Sequence, residues 1–162
     1  MNETVREYVR LTQELDARDT PVVLVLFGDH KPWMGNGGSV YEEMGIDFDT
    51  STLAGFRNYY ATPYLIWANR AAKEVLGADF TGDGGDFSPC FLMTRLFDAC
   101  GWAGPGYMQL SRAMRDISPL LHTNGLFLHD GVLTSVLSDT DRSFYRSWLA
   151  VQYYREHVAA YS

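Results

Sequence analysis

Apolar positions recur along the chain with two different periods. Over residues 3–17, Val5, Tyr8, Val9, Thr12 and Leu15 share one helical face, and Glu3, Arg6, Arg10, Glu14 and Arg18 fall mostly elsewhere. That spacing predicts an amphipathic helix begun near Asn2 and broken by the DARDTP stretch. Pro21 to Phe27 is instead a continuous, β-branched-rich apolar run, the pattern of a strand buried on both faces. A helix leading into a buried strand is the grammar of an α/β sheet. Ser39-Val-Tyr-Glu42 fits a capping box opening a short helix that Gly45 closes. Residues 46–63 follow neither period, and Tyr64 to Trp67, reached through Pro63, reads as a second buried strand.

Residues 77–87, GADFTGDGGDF, form a polar glycine-rich loop. Ser88 and Pro89 then supply a cap and an N1 proline for a helix carrying Phe91, Leu92, Leu96 and Ala99, stopped at Gly101. A further helix lies within 106–116. Residues 125–137 hold two apolar stretches around His129-Asp130-Gly131, and Asp-Gly is a strong hairpin signal. Residues 140–160 close with a helix whose apolar positions include Phe144, Trp148, Val151 and Tyr154 or Arg155.

Composition narrows the class. A chain of 162 residues, 46% hydrophobic and 14% aromatic, makes one domain with a real core. A formal net charge of −7 argues against a nucleic-acid surface. No apolar run approaches the ~20 residues that span a bilayer, and the N-terminal stretch lacks the apolar segment of a signal peptide. Cys90 and Cys100 have no metal-motif spacing; on one helix they stand about 15 Å apart, too far for a mutual disulfide. No base lies near either in sequence, which disfavours a catalytic thiol.

Candidate chemistry concentrates where the first strand ends. Gly28-Asp29-His30 follows it directly, and open α/β sheets bind ligands outside the carboxyl ends of their strands. Gly28 permits a sharp turn, after which both side chains can face one cavity. A carboxylate oxygen with an imidazole nitrogen suits zinc or manganese. The plainer alternative has Asp29 capping a turn and His30 exposed on a loop. Two ligands do not complete a site, and His122, His129 and His157 have no ligand-like spacing. His129 fits a hairpin turn and His157 the exposed side of the last helix.

Other candidates have stronger structural explanations. Lys31 is near enough in sequence to touch a phosphate but reads as a solvated loop lysine. Gly35-Asn-Gly-Gly38 lacks the ending of a phosphate-binding loop and reads as a flexible surface loop. Asp79, Asp83 and Asp86 lack calcium-loop spacing and read as turn formers. Phe56, Tyr59, Tyr60, Tyr64 and Trp67 could stack on sugar or glycerol groups, with core packing the better account.

Five segments in order nevertheless carry a family likeness. TPVVLVLFGDHKP (20–32) is similar to a strand running into a Gly-Asp-His metal motif, and YYATPYLIWAN (59–69) to a Thr-Pro-led strand ending in Asn. FSPCFLMTRLFDACG (87–101), ISPLLHTNGLFLHDG (117–131) and YRSWLAVQYYREH (145–157) are similar to the helix and closing segments that follow. The pattern resembles the C-terminal part of the lipoteichoic acid synthase-like phosphoglycerol transferases, in the alkaline phosphatase/sulfatase superfamily. The likeness spans nearly the whole chain.

The resemblance implies an α/β fold: the C-terminal portion of an alkaline-phosphatase-like sandwich, ending in a small antiparallel hairpin and a helix. It implies one partial domain, with residues 1–104 in the main sheet and 105–162 forming the C-terminal helices and hairpin. It makes Asp29 and His30 two ligands of a divalent manganese, zinc or magnesium ion. In the family a threonine nucleophile and an upstream acidic residue share that ion. The headgroup-binding histidine and arginine and the transmembrane helices also lie upstream. Thr20, Thr62 and Thr94 fall in other segments, so no catalytic nucleophile is assigned in this chain. The expectation is a piece of an extracytoplasmic, membrane-anchored enzyme acting on a phosphodiester such as phosphatidylglycerol. Alone, the chain should be inactive, bind metal weakly, and self-associate through an exposed sheet edge. The alternative is a free-standing, non-catalytic binding or partner module of the same fold.

Overall fold

A computed structural model describes residues 3–157. Helix α1, Glu3–Asp16, leads to strand β1, Val23–Phe27. Helices α2, Ser39–Glu43, and α3, Leu53–Tyr60, connect it to strand β2, Tyr64–Ala68. Helices α4, Arg70–Leu76, α5, Leu92–Ala99, and α6, Gly106–Ile117, follow. The hairpin of β3, Phe127–His129, and β4, Val132–Thr134, then precedes helix α7, Asp139–His157. The fold is mixed α/β and 51% helical, with two small antiparallel sheets.

The first sheet corrects one expectation. β1 and β2 form a two-stranded antiparallel ribbon, Val23 opposite Ala68 and Phe27 opposite Tyr64. β1 is not buried on both faces. Val23, Leu24 and Val25 are half-buried, whereas Leu26 is 45% and Phe27 57% exposed. The apolar run gives the extended conformation, but among the described residues only one neighbouring strand covers it. The helical face of α1 is likewise only partly covered: Tyr8, Thr12 and Leu15 are half-buried, and Val5 and Val9 exposed.

A single side chain holds the front of the ribbon. Asn69, fully buried, follows β2 and caps α4 by accepting from the Ala72 N–H at 2.9 Å. Its Oδ1 also accepts from the Val22 N–H at 2.9 Å. Its Nδ2 donates to the carbonyls of Leu15 (3.0 Å), Arg18 (3.3 Å) and Thr20 (2.9 Å). One amide therefore ties the end of α1, the loop before β1 and the start of α4 together. Helix α4 itself was not anticipated from the sequence.

The capping-box expectation also fails. Gly38, left-handed at φ 81, precedes α2, and Ser39 is already its first residue with no side-chain cap. The glycine run carries a short 3-10 turn over Asn36–Gly38, with Gly35, Asn36 and Gly37 exposed at the surface and Gly38 buried. Gly45 does close the element, donating to the Glu42 carbonyl at 2.9 Å. Residues 46–63 contain α3, whose start is capped by Thr52 Oγ1 accepting from the Gly55 N–H at 3.0 Å.

The rest follows the pattern closely. Pro89–Phe91 is a 3-10 turn before α5 and Gly101 ends the helix at φ 67, but the expected Ser88 side-chain cap is not made, its hydroxyl being engaged with Leu121. Asp130 and Gly131 take φ 49 and 77, the left-handed pair a tight hairpin requires. Phe91, Met114 and Trp148 form the buried cluster, with Ile117, Leu121 and Phe144 packed around it. Trp148 Nε1 donates to the buried Ser111 Oγ at 3.0 Å, satisfying the indole inside the core. The expected helix over 140–160 begins at Asp139, and residues 158–160 lie outside the described residues.

Candidate functional site

The residues after β1 are held against those before β2. Gly28 N–H donates to the Pro63 carbonyl at 3.0 Å, and Thr62 Oγ1 donates to the Gly28 carbonyl at 2.7 Å. Gly28 does not take a left-handed conformation, so the reason for glycine differs from the one expected. A Cβ there would stand 3.1 Å from the Thr62 Cβ, and the close approach of the two segments is what glycine allows.

Asp29 and His30 project from this clamp into solvent, their side chains 79% and 78% exposed. Asp29 Oδ1 accepts from the His30 N–H at 2.8 Å, so the turn-capping role is real. The other oxygen, Oδ2, stands 3.5 Å from His30 Nε2. His30 Nδ1 lies 3.1 Å from the Lys31 carbonyl. A carbonyl only accepts, so Nδ1 donates. The Asp29 oxygen and His30 Nε2 stand 3.5 Å apart, an ion pair when the ring is protonated. Two donors on a tetrahedral ion at about 2.0 Å each would be about 3.3 Å apart. Ligating histidines characteristically donate their second nitrogen to a carbonyl in this way. The donor set fits two positions of a divalent-ion site. Among the described residues, no group of three His, Cys, Asp or Glu side chains gathers to hold a metal.

Neighbouring candidates find structural work. Lys31 is not a free loop lysine: its Nζ donates to the Asn58 carbonyl, tethering the loop to α3. Asp79 and Asp83 form turns, accepting from the Thr81 and Gly85 N–H groups at 3.1 and 2.9 Å. Asp86 instead pairs with Arg57 at 2.5 Å. Both cysteines are free; desolvation pushes the Cys90 thiol up to about 11, and burial raises that of Cys100. Neither is an activated thiolate. His129 ends β3 with Nδ1 3.1 Å from the Ile117 carbonyl, and exposed His157 stacks on Tyr153 with centroids 4.3 Å apart.

The structure adds a cavity that spacing did not reveal. It encloses about 340 Å³ beside Asp29, between α3, the segment entering β2, residues 85–89 and the turn at 120–122. Arg57 and Asp86 line it with Thr62 and His122, alongside Phe56, Tyr60 and Tyr64. The His122 ring meets Phe56 edge-on at 5.2 Å and Tyr60 at 4.6 Å. Ser88 builds the floor, donating to the Leu121 carbonyl at 3.0 Å and accepting from its N–H at 2.8 Å. The expected aromatic cluster divides: Phe56, Tyr60 and Tyr64 line the cavity, Tyr59 packs on Tyr60 and Phe48, and Trp67 is half-buried in β2. These lining residues come from segments more than 60 positions apart, so no local motif announces them.

No family model matches the chain, and neither a curated protein nor a solved structure matches it. No helix among the described residues is long and apolar enough to cross a membrane.

Proposed function

We propose that this chain is the C-terminal portion of a metal-dependent phosphoglycerol transferase or phosphodiester hydrolase related to the lipoteichoic acid synthase-like enzymes. On this reading its elements belong to an alkaline-phosphatase-like sandwich at the extracytoplasmic face of a membrane. The substrate is a glycerophospholipid or another phosphate or sulfate ester. Asp29 and His30 supply two donors to a manganese, zinc or magnesium ion, and the nucleophile and remaining ligands come from outside these residues. The observation that carries the reading is the pair itself. A carboxylate oxygen and an imidazole nitrogen converge at 3.5 Å, with the other ring nitrogen anchored on a carbonyl.

A divalent ion at that point would lower the nucleophile's pKa and offset charge on the phosphoryl oxygens. The chain's own contribution is position. The Gly28–Thr62 clamp and the Lys31–Asn58 tether fix the backbone on both sides of the pair. The cavity beside Asp29 favours a second reading, a non-catalytic binding module, which needs no metal.

Calorimetric titration of the chain with Mn²⁺ and Zn²⁺ tests the first reading. Weak, saturable binding is expected, lost in both Asp29→Ala and His30→Ala, with no phosphodiester turnover by any of the three proteins. Identical isotherms for all three would remove the pair from the site. Turnover by the unmodified chain would show that the nucleophile lies within it.

A further inference from the structure

We infer that the cavity beside Asp29 is a binding site for a neutral polyhydroxylated ring, a single glycosyl group. Its volume, about 340 Å³, sits at the small end of small-molecule sites, room for one ring. Its walls combine the two surfaces a sugar presents. Tyr60 and His122, ring centroids 4.6 Å apart and backed by the buried Phe56, present aromatic surface against which an apolar C–H face can lie. The Arg57–Asp86 pair, each side chain more than half exposed, offers donors and acceptors side by side. Vicinal hydroxyls, which both donate and accept, match such a pair; the charged partners make those bonds strong.

His122 also lines the cavity, its Nδ1 accepting from the Asn124 N–H at 3.3 Å. The Ser88 hydroxyl is already engaged both ways with Leu121, so it shapes the floor rather than reading the ligand.

Charge selects against one rival ligand. Asp29 and Asp86 outnumber Arg57 around the cavity, which disfavours a free phosphate or carboxylate. The same surplus does not repel an organic cation, so the choline comparator separates a cation site from a polyol site.

The inference is independent of the metal reading, and its test is run in chelator so that the two fail separately. Saturation-transfer NMR on the full chain uses methyl glycosides of glucose, galactose and mannose, with choline as a comparator and inorganic phosphate read as a competitor that displaces the glycoside. At least one glycoside should bind in the millimolar range, with transfer strongest at its ring C–H protons. Asp86→Asn, which conserves volume, and Tyr60→Ala should each weaken that binding by about tenfold or more. Unchanged melting temperatures for both variants would keep that loss local; if one variant melts early, the other is decisive. Absence of binding by all three glycosides would overturn the inference. Stronger binding of phosphate or choline, or full affinity in both folded variants, would do the same.

Discussion

Replacing Asn69 by alanine should be among the most damaging single changes outside the aromatic core. The side chain is fully buried and makes five hydrogen bonds to backbone groups of three separate segments. Alanine removes the cap of α4, worth about 1 kcal/mol. It also orphans the Val22 N–H, at about 1–3 kcal/mol, and strips partners from three partly buried carbonyls. Water reaches some of these groups, so the net loss is about 3–5 kcal/mol. Against a total stability of about 5–15 kcal/mol, that is a large share. For a chain of this size it corresponds to a fall in Tm on the order of 10 °C. Urea unfolding followed by tryptophan fluorescence measures it, with Asn69→Asp as the partner experiment. Aspartate keeps the acceptors for Val22 and Ala72 but loses the donors and sets a carboxylate against three carbonyls. A cost for aspartate at neutral pH at least as large as for alanine identifies the donating side as the tether. A loss below ~1 kcal/mol for Asn69→Ala would refute the claim that one amide organises the front of the ribbon.

Further outcomes concern acid stability and association. Asp98 on α5 accepts from Arg112 at 2.6 Å and pairs with Arg115 at 2.7 Å, both on α6. Burial pushes its carboxyl up, but the hydrogen bonds and charges of Arg115 and Arg112 prevail and hold it below the usual range. A depressed folded pKa contributes stability that is present above the unfolded value, about 3.9, and is lost as pH falls through the folded one. Asp98→Asn should therefore be less stable than the parent at neutral pH, and the gap should close below about pH 4; a gap constant down to about pH 2 would count against the bridge. The open ribbon, with Leu26, Phe27 and Leu65 exposed, should promote self-association on concentration. Light scattering should show dimers that Phe27→Lys diminishes, and a clean monomer at every concentration would refute this.

What could be read from residue order was mostly local. The helices within 106–116 and over the described part of 140–160, the Pro89 start and the Asp-Gly hairpin depend on contacts a few residues apart, and they appear where the pattern puts them; the expected Ser88 side-chain cap does not. The place of Asp29 and His30 just past the end of a strand was equally legible, because both follow a recognisable apolar run. Burial of β1 was not, since an apolar run specifies extended backbone without specifying how many strands lie beside it. The glycine at 28 was correctly singled out for the wrong reason: its neighbour Thr62 is 34 positions away and invisible to local turn rules. The same holds for Asn69, an ordinary strand-end asparagine in sequence and a five-bond hub in the fold. His122 and Asp86 line one cavity only because tertiary packing brings them beside Arg57 and Tyr60. Local backbone preference and side-chain chemistry are written in the order of residues. Enclosure, and the choice of which distant groups share one cavity, belongs to the packing of α3, β2 and the 120–122 turn.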